Sequence, residues 1–384
     1  MTSPPKEALL CKRLGIGAAL SVVALVICEA SNRWVPLPDR QTRMAAATRM
    51  ASCEAALAAE KRSRGVPVRV QDDPAGTGLI GPPHSAIVTD NSTVEVKRTA
   101  ANPNLAAAVV RLLSDLGVGP GDPVAISMTG SMPGANLAVL TATEAIGARA
   151  AVVVSVGPSM WGASDPEFTW LDMEAALRAK GLLRTMPLFA TPGGQADNAR
   201  GLPAEAVKLM RASADRNGTR LVRPVTVAQA VELRLSAFRQ ALGGPPKAFV
   251  NVGGGAASYG TAFNATIAPG PVIQPDFAST LEPSGVMYEM LSTGVPVINL
   301  HQMTDVARSV GLPLDYVEQA PLGEPKSLYA AKRRPLTVLV PVTVVLVLAL
   351  VLLLRIGGVV PLAVTREVVS GAAETLDEPK DVRP

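Results

Sequence analysis

The stretch Val124-Ala125-Ile126-Ser127-Met128-Thr129-Gly130-Ser131-Met132-Pro133-Gly134, continued by Ala135–Ile146, Gly147 and Ala150–Val156, decides the fold. Val124–Met128 is an apolar run of strand length. Thr129–Gly134 is a tight loop punctuated by Gly and Pro. Ala135–Ile146 is rich in helix formers and closes at Gly147, a residue that accepts the left-handed conformation ending many helices. Ala150–Val156 is a second apolar run. Strand, loop, helix, strand make a βαβ unit, which requires parallel strands covered by helices.

The pattern extends on both sides. Downstream, Pro203–Asn217 reads as a helix, and Thr226–Leu242 as another, capped by Thr226 and stopped by Gly243-Gly244. Ala248–Val252 is a strand running into Gly253-Gly254-Gly255. Gly285–Leu291 reads as helical and Val295–Leu300 as a strand. Upstream, Asn102-Pro103 opens a helix that ends near Gly117, with Asn as cap and Pro in the first helical position. Gln41–Arg62 carries Met44, Ala47, Met50 and Leu57 near helical spacing and predicts a helix leading out of a membrane; Arg64–Pro83 is mostly loop. There is no internal repeat of fixed period. The predicted body, residues 32–330, is an α/β domain with an open, mostly parallel, Rossmann-like sheet and flanking helices.

Two apolar segments bracket that body. Leu336–Leu354 carries no charge, is dense in Val and Leu, and lies between Lys332-Arg333-Arg334 and Arg355. About 20 such residues cross the hydrocarbon of a bilayer, so residues 335–356 predict a transmembrane helix. Leu14–Cys28 follows Lys12-Arg13 and ends at Glu29. Residues 1–31 therefore read as a transmembrane or signal-anchor segment, or as a signal cleaved near Cys28-Glu29-Ala30. Ile27 is too bulky for the position before a lipid-bearing cysteine. Lys12 and Arg13 favour a cytoplasmic N-terminus and an exported body, whereas Lys332–Arg334 favour the reverse; the first segment is taken to dominate. Residues 357–384 form a tail, acidic after Arg366, that is expected to be disordered.

Composition narrows the chemistry. Of 384 residues, 48% are hydrophobic and only 18% charged, as suits a membrane protein. The net charge of +4 is mild, and no Lys/Arg run is interleaved with aromatics, which argues against nucleic acid as a partner. Two histidines and three cysteines, with no Cys-x-x-Cys, leave no zinc pattern, and no cofactor motif is present. Cys53 is the one cysteine of the body, so the body has no internal disulfide to report its compartment.

Ligands of open parallel sheets sit at the carboxyl ends of strands. Three turns fall there. In the first, Gly130-Ser131-Met132-Pro133-Gly134, Ser131 and Asn136 could hold a phosphate or carboxylate at the start of the following helix, or Ser131 could simply cap that helix. A Gly-x-Ser-x-Gly elbow does not fit, because Ser131 follows Gly130 directly. The second turn, Asn251-Val252-Gly253-Gly254-Gly255, follows a strand as a phosphate cradle would, but lacks both Gly-x-Gly-x-x-Gly and Gly-Lys-Ser/Thr. It is either a ligand-contacting turn or a flexible one. His301, after Val295–Leu300, could act as acid or base, or be a partly exposed polar residue. Asp165 and Asp172 flank Phe168 and Trp170; they could work as acid and base or bind a cation, or Asp172 could complete a capping box with Thr169. Lys97-Arg98 would suit an anionic ligand, or form a solvated basic face.

Several segments together resemble the poly-gamma-glutamate system protein family. They are Gly78–Pro82, Lys97-Arg98-Thr99 with Asn102-Pro103-Asn104, Gly130-Ser131 with Pro133–Asn136, and Gly162–Pro166. Phe168–Glu174, Asn251–Gly255 and Gly294–Ile298 complete the set. The resemblance spans residues 40–315, and Phe168–Glu174 is its most specific part; His84 and Trp161 depart from the pattern. It implies a bacterial cell-membrane component of poly-γ-glutamate synthesis or export; the exported soluble domain is an expectation from the flanking charges alone. The implied partners are the membrane, an ATP-dependent amide ligase with its small membrane subunit, and an anionic polymer or glutamyl ligand. It implies no defined reaction. Two alternatives stand beside it: a hydrolase or amidotransferase acting on the polymer, with Ser131, Asp165 and His301 as catalytic candidates, and a structural scaffold of the synthase complex. The ligand-binding expectation names Lys97, Arg98, Gly130, Ser131, Asn136, Asn251, Gly253, Gly254 and Gly255.

Overall fold

The computed structural model describes residues 6–355. In chain order its elements are α1 (Lys6–Ala30), β1 (Arg33–Pro36), α2 (Arg40–Ser63), α3 (Val94–Ala100), α4 (Asn104–Asp115), β2 (Pro123–Thr129), α5 (Pro133–Ile146) and β3 (Arg149–Ser155). Then come α6 (Trp170–Ala179), β4 (Pro187–Thr191), α7 (Ala204–Arg216), α8 (Val227–Leu242), β5 (Ala248–Val252), α9 (Ala256–Tyr259) and α10 (Ala262–Ile267). The last are β6 (Val272–Ile273), α11 (Val286–Ser292), β7 (Val297–Leu300), α12 (Met303–Val310), β8 (Ala330–Arg333) and α13 (Leu336–Arg355). The chain divides into two units, the body Pro36–Ala331 and a terminal unit made of the segments before and after it. The expected tail, 357–384, lies outside the described residues.

The body is built on a six-stranded sheet of order β4-β3-β2-β5-β7-β6, parallel except for the short edge strand β6. β2 registers Val124 with Ala150 of β3 on one side and with Ala248 of β5 on the other. Successive side chains of a strand point to opposite faces, and the core divides accordingly. Val124, Ile126 and Met128 pack with α2, α4, α5, α6, α7 and α12 on one face. Ala125, Ala151, Val153 and Phe249 pack with α8, α9 and α11 on the other. Both faces are therefore covered, which is why the strands read as continuous apolar runs.

Local signals act as expected at most ends. The Thr226 hydroxyl accepts from the Gln229 N–H at 3.2 Å, and α8 stops at Gly243 with φ +74°. Gly147 ends α5 at φ +80°. At α4 the regular turn begins after Pro103, and the Asn102 side chain accepts from the Asn104 N–H at 3.0 Å.

In the terminal unit, α1 and α13 lie antiparallel. Glu29 pairs with Arg334 at one end, while Gly17 meets Leu350 toward the other, where an added Cβ would sit 3.2 Å from the Leu350 Cδ2. Cys11–Ala30 and Leu336–Leu353 are both long and apolar enough to cross a membrane. Their Leu and Val side chains remain largely exposed, which sets them apart from the core helices of a water-soluble protein.

Candidate functional site

A cleft of about 690 Å³ opens at the carboxyl ends of the body's parallel strands. Each strand from β4 to β7 contributes the residues just beyond it: Gly193 and Gly194 after β4, Ser159 after β3, Ser131 after β2, Gly254 and Gly255 after β5, and His301 after β7. Thr89 and Asp90 close the wall from the loop before α3. The cleft sits where the strand order reverses. From central β2 the chain moves outward through β3 and β4, then returns to β5 on the other side of β2. Splayed loops leave a crevice at such a point. The β5 turn comes very close here: Gly253 has φ +84°, and a Cβ on it would collide with the Thr129 hydroxyl. Only glycine satisfies both conditions.

The chemistry of the cleft centres on Lys97. Its side chain is 2% exposed, and its Nζ lies 2.7 Å from the Ser159 Oγ and 3.8 Å from the Met132 Sδ. Burial pushes its pKa down to about 7, against the pull of Asp90. Ser159 is fixed from both sides. Its N–H donates to the Ser131 Oγ at 2.9 Å, and its segment forms a bridge with Asp90, closed by the Met160 N–H donating to the Asp90 carbonyl at 3.0 Å. Burial, and then the nearby Lys97, hold His301 below its ordinary pKa, with Asp90 opposing. Its ring rests against Tyr259, with centroids 5.4 Å apart.

A buried ion pair stiffens the β3–β4 end of the cleft. Arg234 Nη1 donates to the Asp197 Oδ2 at 2.6 Å, with the two side chains 2% and 1% exposed. The Ser155 and Thr191 hydroxyls donate to Asp197 Oδ1 at 2.8 and 2.9 Å, and Arg234 Nη2 reaches both hydroxyl oxygens. Ser155 itself lines the cleft. Gly193, Gly194, Ala196, Asp197 and Ala199 all have positive φ, so this network holds a strained loop in place.

Several expected site residues take other roles. Lys97 and Arg98 do not form one basic surface. Arg98 turns away to Asp315, at 2.6 Å, because neighbours on a helix point about 100° apart. Asn136 is fully buried outside the cleft lining and donates to the Thr129 carbonyl at 2.9 Å, pinning the β2 turn. Asn251 is also fully buried; its Nδ2 donates to the Gly253 carbonyl at 3.0 Å and to Asn299 Oδ1 at 2.9 Å. Gly130 packs its α-carbon against the Val156 carbonyl and, like Gly253, shapes the turn from behind. Ser131 does not cap α5; its Oγ is taken by the Ser159 N–H.

Ser131 and His301 share the cleft, but Asp165 does not join them. It accepts from the Glu167 N–H at 2.9 Å and acts electrostatically on Lys61 and Arg216. A Ser131–His301–Asp165 triad is therefore not assembled. Asp172 caps α6 as the structural alternative expected, taking the Thr169 N–H at 2.8 Å. Burial works against its charge, but Arg216, Asn217 and Thr169 outweigh it and keep its carboxyl below the usual carboxylate range. Among the described residues, no group of three His, Cys, Asp or Glu could hold a metal ion.

Sequence reasoning missed Ser159, Asp90 and the Arg234–Asp197 pair. The partners stand 62 residues apart for Lys97 and Ser159, and 37 apart for Arg234 and Asp197, so no local spacing signals them. No protein-family model, curated protein or solved structure matches the chain.

Proposed function

We propose that the chain is a membrane-tethered accessory component of poly-γ-glutamate synthesis or export in the bacterial cell membrane, with its body outside the cytoplasm. In this reading the body is a Rossmann-like domain that takes an anionic glutamyl group in the cleft at its strand ends. One observation carries the reading: the buried amine of Lys97 stands behind a wall of hydroxyls, Ser131 and Ser159, at the reversal point of the sheet, where an arriving anion favours its charged form. A cleft of about 690 Å³ suits a short segment. Asp90 and Asp305 also line it and would repel a long run of carboxylates, so the reading favours the end of a polymer. Because the Ser131 and Gly254 turns both face this space, a scaffold without a ligand has less support. The two exposed apolar helices support the tether.

Binding of a γ-linked glutamate oligomer to the full chain in detergent, measured by titration calorimetry, tests this. Lys97→Met and Ser131→Leu should weaken binding at least about tenfold, the worth of one charge-assisted hydrogen bond. Arg98→Ala should leave it unchanged, since Arg98 serves Asp315. Absence of saturable binding, or equal loss in Arg98→Ala, would contradict the assignment. The tether predicts that the chain stays with vesicles through alkaline carbonate; release would remove it.

A further inference from the structure

We propose that Ser159 and Lys97 form a nucleophile–base pair, and that the cleft is an acyl-transfer site hydrolysing an amide or ester. This goes beyond ligand binding and does not depend on the polymer being the substrate; if the glutamyl reading holds, the bond is a glutamyl amide.

The arrangement has the parts such a pair needs. The nucleophile faces the cleft while the base lies behind it: Ser159 lines the space, and Lys97 reaches it through a 2.7 Å contact. An ammonium has three protons to place. Among the described residues Lys97 Nζ meets Ser159 Oγ and the weak acceptor Met132 Sδ, with no carboxylate at ion-pair distance. The buried cation is therefore under-satisfied, and the neutral amine, accepting the Ser159 proton, fits the site better. Its pKa of about 7 agrees with that geometry. Ser159 is immobilised by the Asp90 bridge and by its N–H bond to Ser131. That bond uses the Ser131 oxygen as acceptor and leaves the Ser131 proton to be donated into the cleft, where it can meet an oxyanion.

The steps balance without a redox change. Ser159 Oγ bonds to the carbonyl carbon as its proton moves to Lys97 Nζ. The tetrahedral intermediate collapses, the bond to the amine or alcohol breaks, and Lys97 returns that proton to the leaving group. Water then attacks the Ser159 ester, its proton passing to Lys97. Collapse releases the acid and restores the proton to Ser159 Oγ.

Lys97 titrates in a defined field. Asp90 from the preceding loop raises its pKa, and Lys97 in turn lowers that of His301 after β7. On α12, Asp305 lines the cleft and pairs with Arg308. On its own helix, Glu95 approaches Arg98, which Asp315 also binds.

The test treats the full chain in detergent with a fluorophosphonate and maps the adduct by peptide mass spectrometry. The expected result is a phosphonylated Ser159, formed about tenfold faster at pH 8 than at pH 6 as the Lys97 amine is uncovered. Ser159→Ala should abolish the adduct, and Lys97→Met should slow it at least about a hundredfold. Should Lys97→Met fail to fold, Lys97→Arg and the wild-type pH profile decide. An adduct on Ser131 instead, no adduct on Ser159, or a rate flat in pH overturns the inference. Oligomer binding that persists without a Ser159 adduct would sink this proposal and leave the binding reading standing; an adduct without oligomer binding would do the reverse.

Discussion

Removing the Asp197 carboxylate should destabilise the body more than any exposed charge change. Asp197 and Arg234 are 1% and 2% exposed, so Asp197→Ala strands a guanidinium in the core and also deprives the Ser155 and Thr191 hydroxyls of their acceptor. Breaking a buried pair on one side costs about 3–5 kcal/mol, far above the ~0–1 kcal/mol of an exposed pair such as Lys208–Glu205. Unfolding entropy of about 2 cal/mol/K per residue, over a body of roughly 300 residues, converts that cost into a Tm loss of about 5–8 °C. Thermal unfolding of the full chain in detergent, followed by tryptophan fluorescence, reads it. The double variant Asp197→Leu with Arg234→Met should recover most of the loss, because no charge is then left unpaired. A single variant within about 1 kcal/mol of the parent would refute the idea that this pair holds the cleft wall.

Three further outcomes follow from particular contacts. Gly253→Ala should cost about 2–4 kcal/mol in denaturant unfolding, since its Cβ meets Thr129 at φ +84°. Burial raises the Glu174 carboxyl to about 8, against the pull of Arg178. Its folded pKa thus exceeds its unfolded one, so its contribution to stability is complete below about 4.5 and is lost as pH rises to about 8. Unfolding midpoints measured across that window should fall, and Glu174→Gln should flatten the slope. The Cys53 thiol is fully buried and pushed up to about 12, mainly by burial, so it should stay unmodified by a thiol reagent at pH 8 until the chain unfolds.

The sheet was legible where one short segment contained its own argument. β2, α5 and β3 were visible because two apolar runs flank a helix with a glycine stop, and burial of both sheet faces suppresses any alternation that would confuse them. The Thr169–Asp172 cap was legible for the same reason, since its partners stand three residues apart. α3 was missed because seven residues with two β-branched valines carry no helical stripe of their own. β4, at the sheet edge, opens on Pro187 and the exposed Leu188 and so lacks the continuous apolar run of the inner strands, and the two-residue β6 is too short for any pattern. The site was half visible. Ser131, Gly254 and His301 follow recognisable strands, so their position at the strand ends, where they line the cleft, could be read from the topology. Lys97 was paired with the wrong neighbour: adjacency in sequence suggested a basic surface, whereas the helix turns Lys97 toward Ser159 and Arg98 toward Asp315. Ser159 and Asp90 gain meaning only when the chain folds them against Lys97, which no spacing rule anticipates.

Hydrogen exchange of the full chain, with and without a γ-linked glutamate oligomer, tests the central claim most directly. Protection is predicted in three separated stretches, around 129–132, 254–256 and 301–303, with none around Asp165. Protection confined to other parts of the body, or an unchanged exchange map at a saturating oligomer concentration, would contradict the cleft as the ligand site.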